Sequence, residues 1–199
     1  MLSLTLNVPL LAFFVSDFTD CRMEKPLTWH INSEGLSNDI VDELMGEFLS
    51  QILPRERRQF FLGVHPWTQI PAMQITAQVS THPKNVHTLI LNVGGHFVAV
   101  IIAEKHALYI DSYAATFARK EIRDFFSLLQ RDKRRIFVND KPIQDASSTH
   151  CGLYAVLYAA WYLLPPDKRK KIEFYTTDLA RNDRLCVQYI RDLFNTSAA

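Results

Sequence analysis

Long apolar runs are missing from this sequence. The longest fall far short of the ~20 residues that a membrane-spanning helix needs, so no membrane partner is expected. Cysteine is scarce. Cys21, Cys151 and Cys186 are the only three, and none belongs to a C-x-x-C pair. The odd count and wide spacing argue against a disulfide scaffold and a zinc ribbon, and suit a reducing compartment. Excess charge of either sign is missing too. Lys plus Arg is 22 against 21 for Asp plus Glu, a net charge of +1, which excludes nucleic-acid binding by bulk charge and leaves only local patches. There is no G-x-S-x-G elbow, no phosphate loop, no internal repeat and no low-complexity segment. With 48% apolar and 22% charged residues among 199, the chain is an ordinary globular one, of a length for one domain and at most an arm.

Residues 1–22 are expected to form that arm, and 23–199 the domain. Leu10–Val15 is apolar, but no Lys or Arg precedes Arg22 and no small-residue cleavage site follows. A secretory signal is therefore not expected. Met23 as the true start is the alternative, because the chain from Glu24 onward reads as ordinary domain sequence.

Periodicity places the elements. Ile40, Val41, Leu44, Met45, Phe48 and Ile52 make one helical stripe over 37–52. Residues 54–59 read as a polar, basic break. The stretch 60–72, with Pro66 and Pro71, reads as irregular. A strand is expected over 73–79. Val86–Val93 is β-rich and is ended by Gly94-Gly95. Phe97–Ala103 is a continuous apolar run, suited to a strand buried on both faces, and Ala107–Ile110 follows as its hairpin partner. An amphipathic helix is expected over 117–130, a strand at Arg135–Val138, a buried central helix from Cys151 to Leu164, and a last helix over 183–194. The sum is an α+β domain, a small mixed or antiparallel sheet packed on a central buried helix.

Four residues carry candidate chemistry. Cys151 opens the central helix, where free N–H groups and the helix dipole favour a thiolate, the form that attacks a carbonyl. His96 opens a strand beside two glycines and is a candidate base. The midpoint of 96 and 111 falls at 103.5, next to the connection Glu104-Lys105-His106. A hairpin turning there brings Asp111 roughly opposite His96, where a carboxylate orients an imidazole. Gln144 lies seven residues before Cys151 and can donate to an oxyanion together with the Cys151 N–H. Each residue also has an ordinary reading: a buried cysteine, an edge histidine, a turn aspartate, a loop glutamine.

The stretches Gly95-His96-Phe97-Val98, Tyr109-Ile110-Asp111-Ser112-Tyr113 and Gln144 to Leu153 resemble the catalytic blocks of the adenovirus-type cysteine proteases. These share a superfamily with the ubiquitin-like-protein (SUMO) proteases. Leu36 to Ile40, Phe61 to Val64 with Ile70-Pro71, and Asn182-Asp183 extend the resemblance over about residues 36–190. It implies a permuted papain-like core, with Cys151 as nucleophile, His96 as base, Asp111 as its orienter and Gln144 as oxyanion donor. Gly95 and Phe97 would lie beside the substrate. The family usually has Trp after the histidine; Phe97 keeps an aromatic wall without the indole N–H. The Gln-to-Cys interval is adenovirus-like, and the SUMO proteases have a shorter one. The segment before His96 is long for an adenovirus enzyme, which points to a divergent relative.

The resulting expectation is a cysteine endopeptidase that cleaves viral or mobile-element structural precursors after small residues such as glycine. The alternatives are a deubiquitinase or deSUMOylase-type isopeptidase, and a non-catalytic particle protein with a protease fold. Host nucleus, cytoplasm and virion are the implied locations, a monomer the expected state. No cofactor is required, although the resemblance implies DNA or a peptide as activators. The runs Arg131–Arg135 and Lys168–Lys171 read as solvated faces or as a polyanion patch. His82, His87 and His106 lack the partners of a zinc site, and His150, adjacent to Cys151, is expected to point elsewhere. Cys186 is expected in the core.

Overall fold

The computed structural model describes residues 38–169 and 171–195. The expectations for residues 1–22, Cys21, Met23, Leu36, Ser37 and Lys170 lie outside them.

The helical stripe near the start forms α1, Asn38–Gln51, which buries Val41, Leu44, Met45 and Phe48. The polar break contains one helical turn, α2, Arg55–Arg58. The stretch read as irregular holds a strand, β1, Phe61–Pro66. Gly63 has φ +94°, and the pairing with the next strand skips between Phe61 and Val64. This bulge erases the two-residue alternation that marks a strand. The strand expected over 73–79 is instead a helix, α3, Ala72–Thr81. Ile75 and Val79, four apart, bury one face of it, and that burial overrides the β preference of Ile, Thr and Val.

The sheet runs β1-β2-β3-β4-β5, with β2 at His87–Asn92, β3 at Phe97–Ile102, β4 at His106–Ile110 and β5 at Arg135–Val138. The three central strands are antiparallel, and each outer strand is parallel to its neighbour. The parallel pairs need crossovers. These are α3, and α4 at Lys120–Arg131. The helix expected from 117 begins at Lys120; Phe117 instead stacks on Phe126 at 4.9 Å.

Both faces of the sheet are covered, which is why β3 reads as an unbroken apolar run and β2 carries Leu89-Ile90-Leu91 at its centre. Leu89, Leu91, Val98, Val100 and Tyr109 meet the apolar sides of α3 and α4. Ile90, Phe97, Ala99, Ile101 and Leu108 belong to the other core with α1, the central helix and the last helix. The central helix, α5, spans Cys151–Leu163. The last, α6, spans Leu179–Asn195 and begins before the expected residue 183. Asp178 is the reason: its carboxylate accepts the Arg181 N–H at 2.9 Å, an N-cap that holds an earlier turn. Cys186 is fully buried.

Candidate active site

The site assembles where the β2–β3 turn, the end of β4, the loop after β5 and the start of α5 meet. In the turn, the Gly94 and Gly95 N–H groups donate to Asn92 Oδ1 at 3.0 and 2.9 Å. Both glycines have positive φ, +95° and +86°, a conformation that costs other residues energy. The turn delivers His96 at the head of β3.

His96 Nε2 lies 2.8 Å from Asp111 Oδ1, with the histidine 20% exposed and the aspartate 1%. The carboxylate accepts, so Nε2 carries the proton. The β3–β4 ladder pairs Ala99 with Ile110 and Ile102 with Ala107. Carried past its end, that register sets Tyr113 opposite His96 and Asp111 one diagonal away, an offset from the expected pairing that still leaves both on one face. The Tyr113 ring fills the opposite position and stacks on His96, centroids 4.9 Å apart and 27° between planes.

Cys151 is the first residue of α5 and is 9% exposed. Burial alone would push its thiol up. His96, the Phe97 and Gly152 backbone and the His96 charge outweigh that, and the net direction is down. His96 moves the opposite way. Burial opposes its charge, yet the Asp111 and Cys151 side chains raise it to about 9. With Nε2 given to Asp111, the buried Nδ1 has no hydrogen-bond partner among the described residues and is the nitrogen left to serve the sulfur. An imidazolium beside a thiolate is the state these shifts favour.

Asp111 is fixed on three sides. Its Oδ1 also accepts the Tyr113 N–H at 2.8 Å. Its backbone N–H donates to Asn139 Oδ1 at 2.9 Å, and its backbone oxygen accepts from Asn139 Nδ2 at 2.6 Å.

Gln144 is 1% exposed and joins the same cluster. Its Oε1 accepts from Ser112 Oγ at 2.5 Å. Its Nε2 donates to Tyr113 Oη at 2.9 Å and to Ser148 O and Oγ at 2.9 and 3.0 Å. Tyr113 Oη in turn donates to the Ser148 oxygen at 2.7 Å. Both amide hydrogens of Gln144 are thus engaged with protein oxygens. Phe97, expected beside the substrate, has a core side chain, 2% exposed; what it brings to the site is its backbone, which helps to lower the Cys151 thiol. Gly95 has open space where a side chain would be.

His150 turns toward Ser148 Oγ, 3.0 Å from its Nδ1, with Asp183 Oδ2 at 3.9 Å. In the basic runs, Arg134 is 7% exposed and binds Ala103 O and Asp132, each at 3.0 Å. Arg169 donates to Leu164 O and Tyr162 O at 3.0 and 2.8 Å. These arginines serve the fold rather than a surface patch. Among the described residues, no three His, Cys, Asp or Glu side chains gather as a metal requires, and no helix is long and apolar enough to cross a membrane.

Tyr113, Asn139, Ser112 and Ser148 are neighbours of the candidate site that residue-by-residue reading misses. Ser112, Tyr113 and Ser148 lie within the stretches that carry the resemblance. Asn139 has one local signal, an amide side chain one position past a strand end.

Neither a protein-family model nor a curated protein matches the chain. Among solved structures it is similar to a de-sumoylating protease, at 16% identity and a TM-score of 0.47 over 83% of this chain and 81% of that one. It is also similar to the central domain of the Lpg1148 protein from Legionella pneumophila, at 13% identity and a TM-score of 0.46 over 79% and 96%. A third is the C-terminal Ulp1 protease domain in complex with Smt3, the yeast ortholog of SUMO, at 14% identity and a TM-score of 0.43 over 80% and 78%. At such values, the chemistry is to be read from the residues of the site.

Proposed function

We propose that this chain is a cysteine peptidase with Cys151 as nucleophile, His96 as base and acid, and Asp111 as the group that orients His96. One observation carries the reading: His96 gives Nε2 to a buried carboxylate at 2.8 Å while its buried Nδ1 has no hydrogen-bond partner among the described residues, and Cys151 stands at the first turn of the neighbouring buried helix. A purely structural histidine has its buried nitrogens satisfied; this one keeps Nδ1 in reserve, and the proposal assigns it to the nucleophile.

The chemistry follows. The Cys151 thiolate attacks the scissile carbonyl carbon and forms a C–S bond, and the carbonyl electron pair moves onto oxygen. The tetrahedral intermediate collapses as His96 gives its proton to the leaving amine, and the C–N bond breaks. Water then attacks the thioester, His96 takes a proton from it, and the carboxylate product leaves Cys151 as thiolate. The Cys151 N–H and Gln144 are the proposed oxyanion donors; for Gln144 this means giving up a bond to Ser148 or Tyr113.

The substrate part of the proposal rests on the resemblance of the blocks around His96, Asp111 and Cys151 to adenovirus-type proteases: structural precursors of a virus or mobile element, cut after small residues. The test is hydrolysis of glycine-containing fluorogenic peptides beside fluorogenic ubiquitin and SUMO conjugates, with and without DNA. Cleavage of short peptides, abolished in Cys151→Ala, supports the endopeptidase. Turnover of the folded conjugates alone replaces it with an isopeptidase. No Cys151-dependent cleavage of either contradicts the proposal.

A further inference from the structure

Asp111 stands one residue past the end of β4, where the backbone ladder no longer fixes it. The parallel register of β4 with β5 pairs His106 with Arg135 and Tyr109 with Val138. Continued, it sets Ile110 beside Asn139, and Asp111 beside a position where β5 has already ended. A carboxamide has the same donor and acceptor as a peptide unit. The Asn139 side chain supplies both to Asp111, accepting its N–H at 2.9 Å and donating to its carbonyl at 2.6 Å. The same Nδ2 reaches Lys141 O at 3.2 Å, which ties the clamp to the loop leading toward Gln144. Asn139 thus adds one more rung to the sheet by side chain, at the residue whose carboxylate faces His96.

We infer that Asn139 is a positioning residue for the proposed reaction, a side-chain rung that holds Asp111 in line with His96. The inference rests on the proposed peptidase reading. The alternative is an asparagine that only closes a loop. The Asn139 amide touches the Asp111 backbone on both sides, while the Asp111 carboxylate is held separately by the Tyr113 N–H. Loss of the clamp therefore frees the main chain to drift and carries the carboxylate with it. A shift of about 1 Å near reacting groups costs up to roughly a hundredfold in rate.

The test is iodoacetamide alkylation of Cys151 against pH, in the full chain, for wild type, Asn139→Ala, Asn139→Asp and Asp111→Asn. Asn139→Asp keeps the side-chain shape and the acceptor, replaces the donor by an oxygen facing the Asp111 carbonyl, and keeps the test open should the alanine variant fold poorly. The groups that face His96 are Asp111, Cys151 and the Tyr113 ring. In wild type, Cys151 alkylation should begin well below the ordinary thiol range near 8.5, because the charged His96 stabilises the thiolate. Both Asn139 variants should raise that acid-side onset by at least about one pH unit, toward an ordinary thiol near 8.5. In the Asp111→Asn background, changing Asn139 should move it no further. A merely structural role would lower the melting temperature and leave the alkylation onset of the folded fraction in place, and that result overturns the inference. A wild-type Cys151 with no enhanced reactivity at all overturns the peptidase reading and this inference with it. A low wild-type onset that Asn139 does not move overturns this inference alone.

Discussion

At the scale of the residue, the site depends on Tyr113 as well as on the four residues the sequence singles out. Its ring stacks on His96, and its hydroxyl joins Ser148 to Gln144. Tyr113→Phe keeps the ring and removes two hydrogen bonds, each contributing about 1 kcal/mol. The expected outcome is a kcat/KM lower by roughly tenfold, with the pH onset of Cys151 alkylation unmoved. Tyr113→Ala also removes the stack and should raise that onset, measured in the same reaction. Much of the site is legible because its parts recur at fixed places: a cysteine at a helix start, a histidine after two glycines, an aspartate at a strand end. The Asn139 clamp is not legible. It joins positions 28 apart in sequence, and only the parallel register of β4 and β5 brings them together. The same limit applies to Phe97, whose aromatic character suggests a substrate wall while strand parity turns its ring into the core.

At the scale of the element, the β2–β3 turn decides where His96 sits. Gly95 has φ +86° and open space where a methyl group would project, whereas a Cβ on Gly94 would meet Arg119 Nη2 at 3.0 Å. Gly95→Ala should therefore cost only the left-handed conformation, about 1–2 kcal/mol, read from urea unfolding. Gly94→Ala should cost at least as much and displace Arg119 from Trp67, over which its guanidinium lies at 4.2 Å. Equal stability of Gly95→Ala and wild type would mean the turn is not held in this conformation. The elements with clear periodicity, α1, α4, α5 and the strands β2 to β5, are readable from sequence. The others carry conflicting signals. In α3, β-branched residues sit on a helical stripe whose i, i+4 pair is only Ile75 and Val79. In β1 the Gly63 bulge breaks the alternation. At α6 the capping Asp178 lies upstream of the apolar residues that make the pattern visible.

At the scale of the whole molecule, two cores on opposite faces of one sheet hold the site at the sheet's end. The fold also buries a histidine that the proposed chemistry does not use. His87 is fully buried on β2, with its ring edge-on to Phe60 at 5.2 Å, and burial lowers its pKa to about 4. In the unfolded chain the same group titrates near 6.5. Between these values the unfolded chain binds the extra proton, so stability falls as pH drops from about 6.5 to about 4. The full loss is on the order of 3 kcal/mol for this group, and denaturant unfolding across that range should show it shrinking in His87→Phe. The site itself is tested most directly by the alkylation rate of each cysteine against pH, in wild type and His96→Ala. Cys186 serves as the internal control, since burial pushes its thiol well up. The account requires Cys151 alone to react quickly well below the ordinary thiol range near 8.5, and to lose that reactivity in His96→Ala. A Cys151 that titrates like an ordinary thiol, or is indifferent to His96, would contradict the ion pair and with it the peptidase.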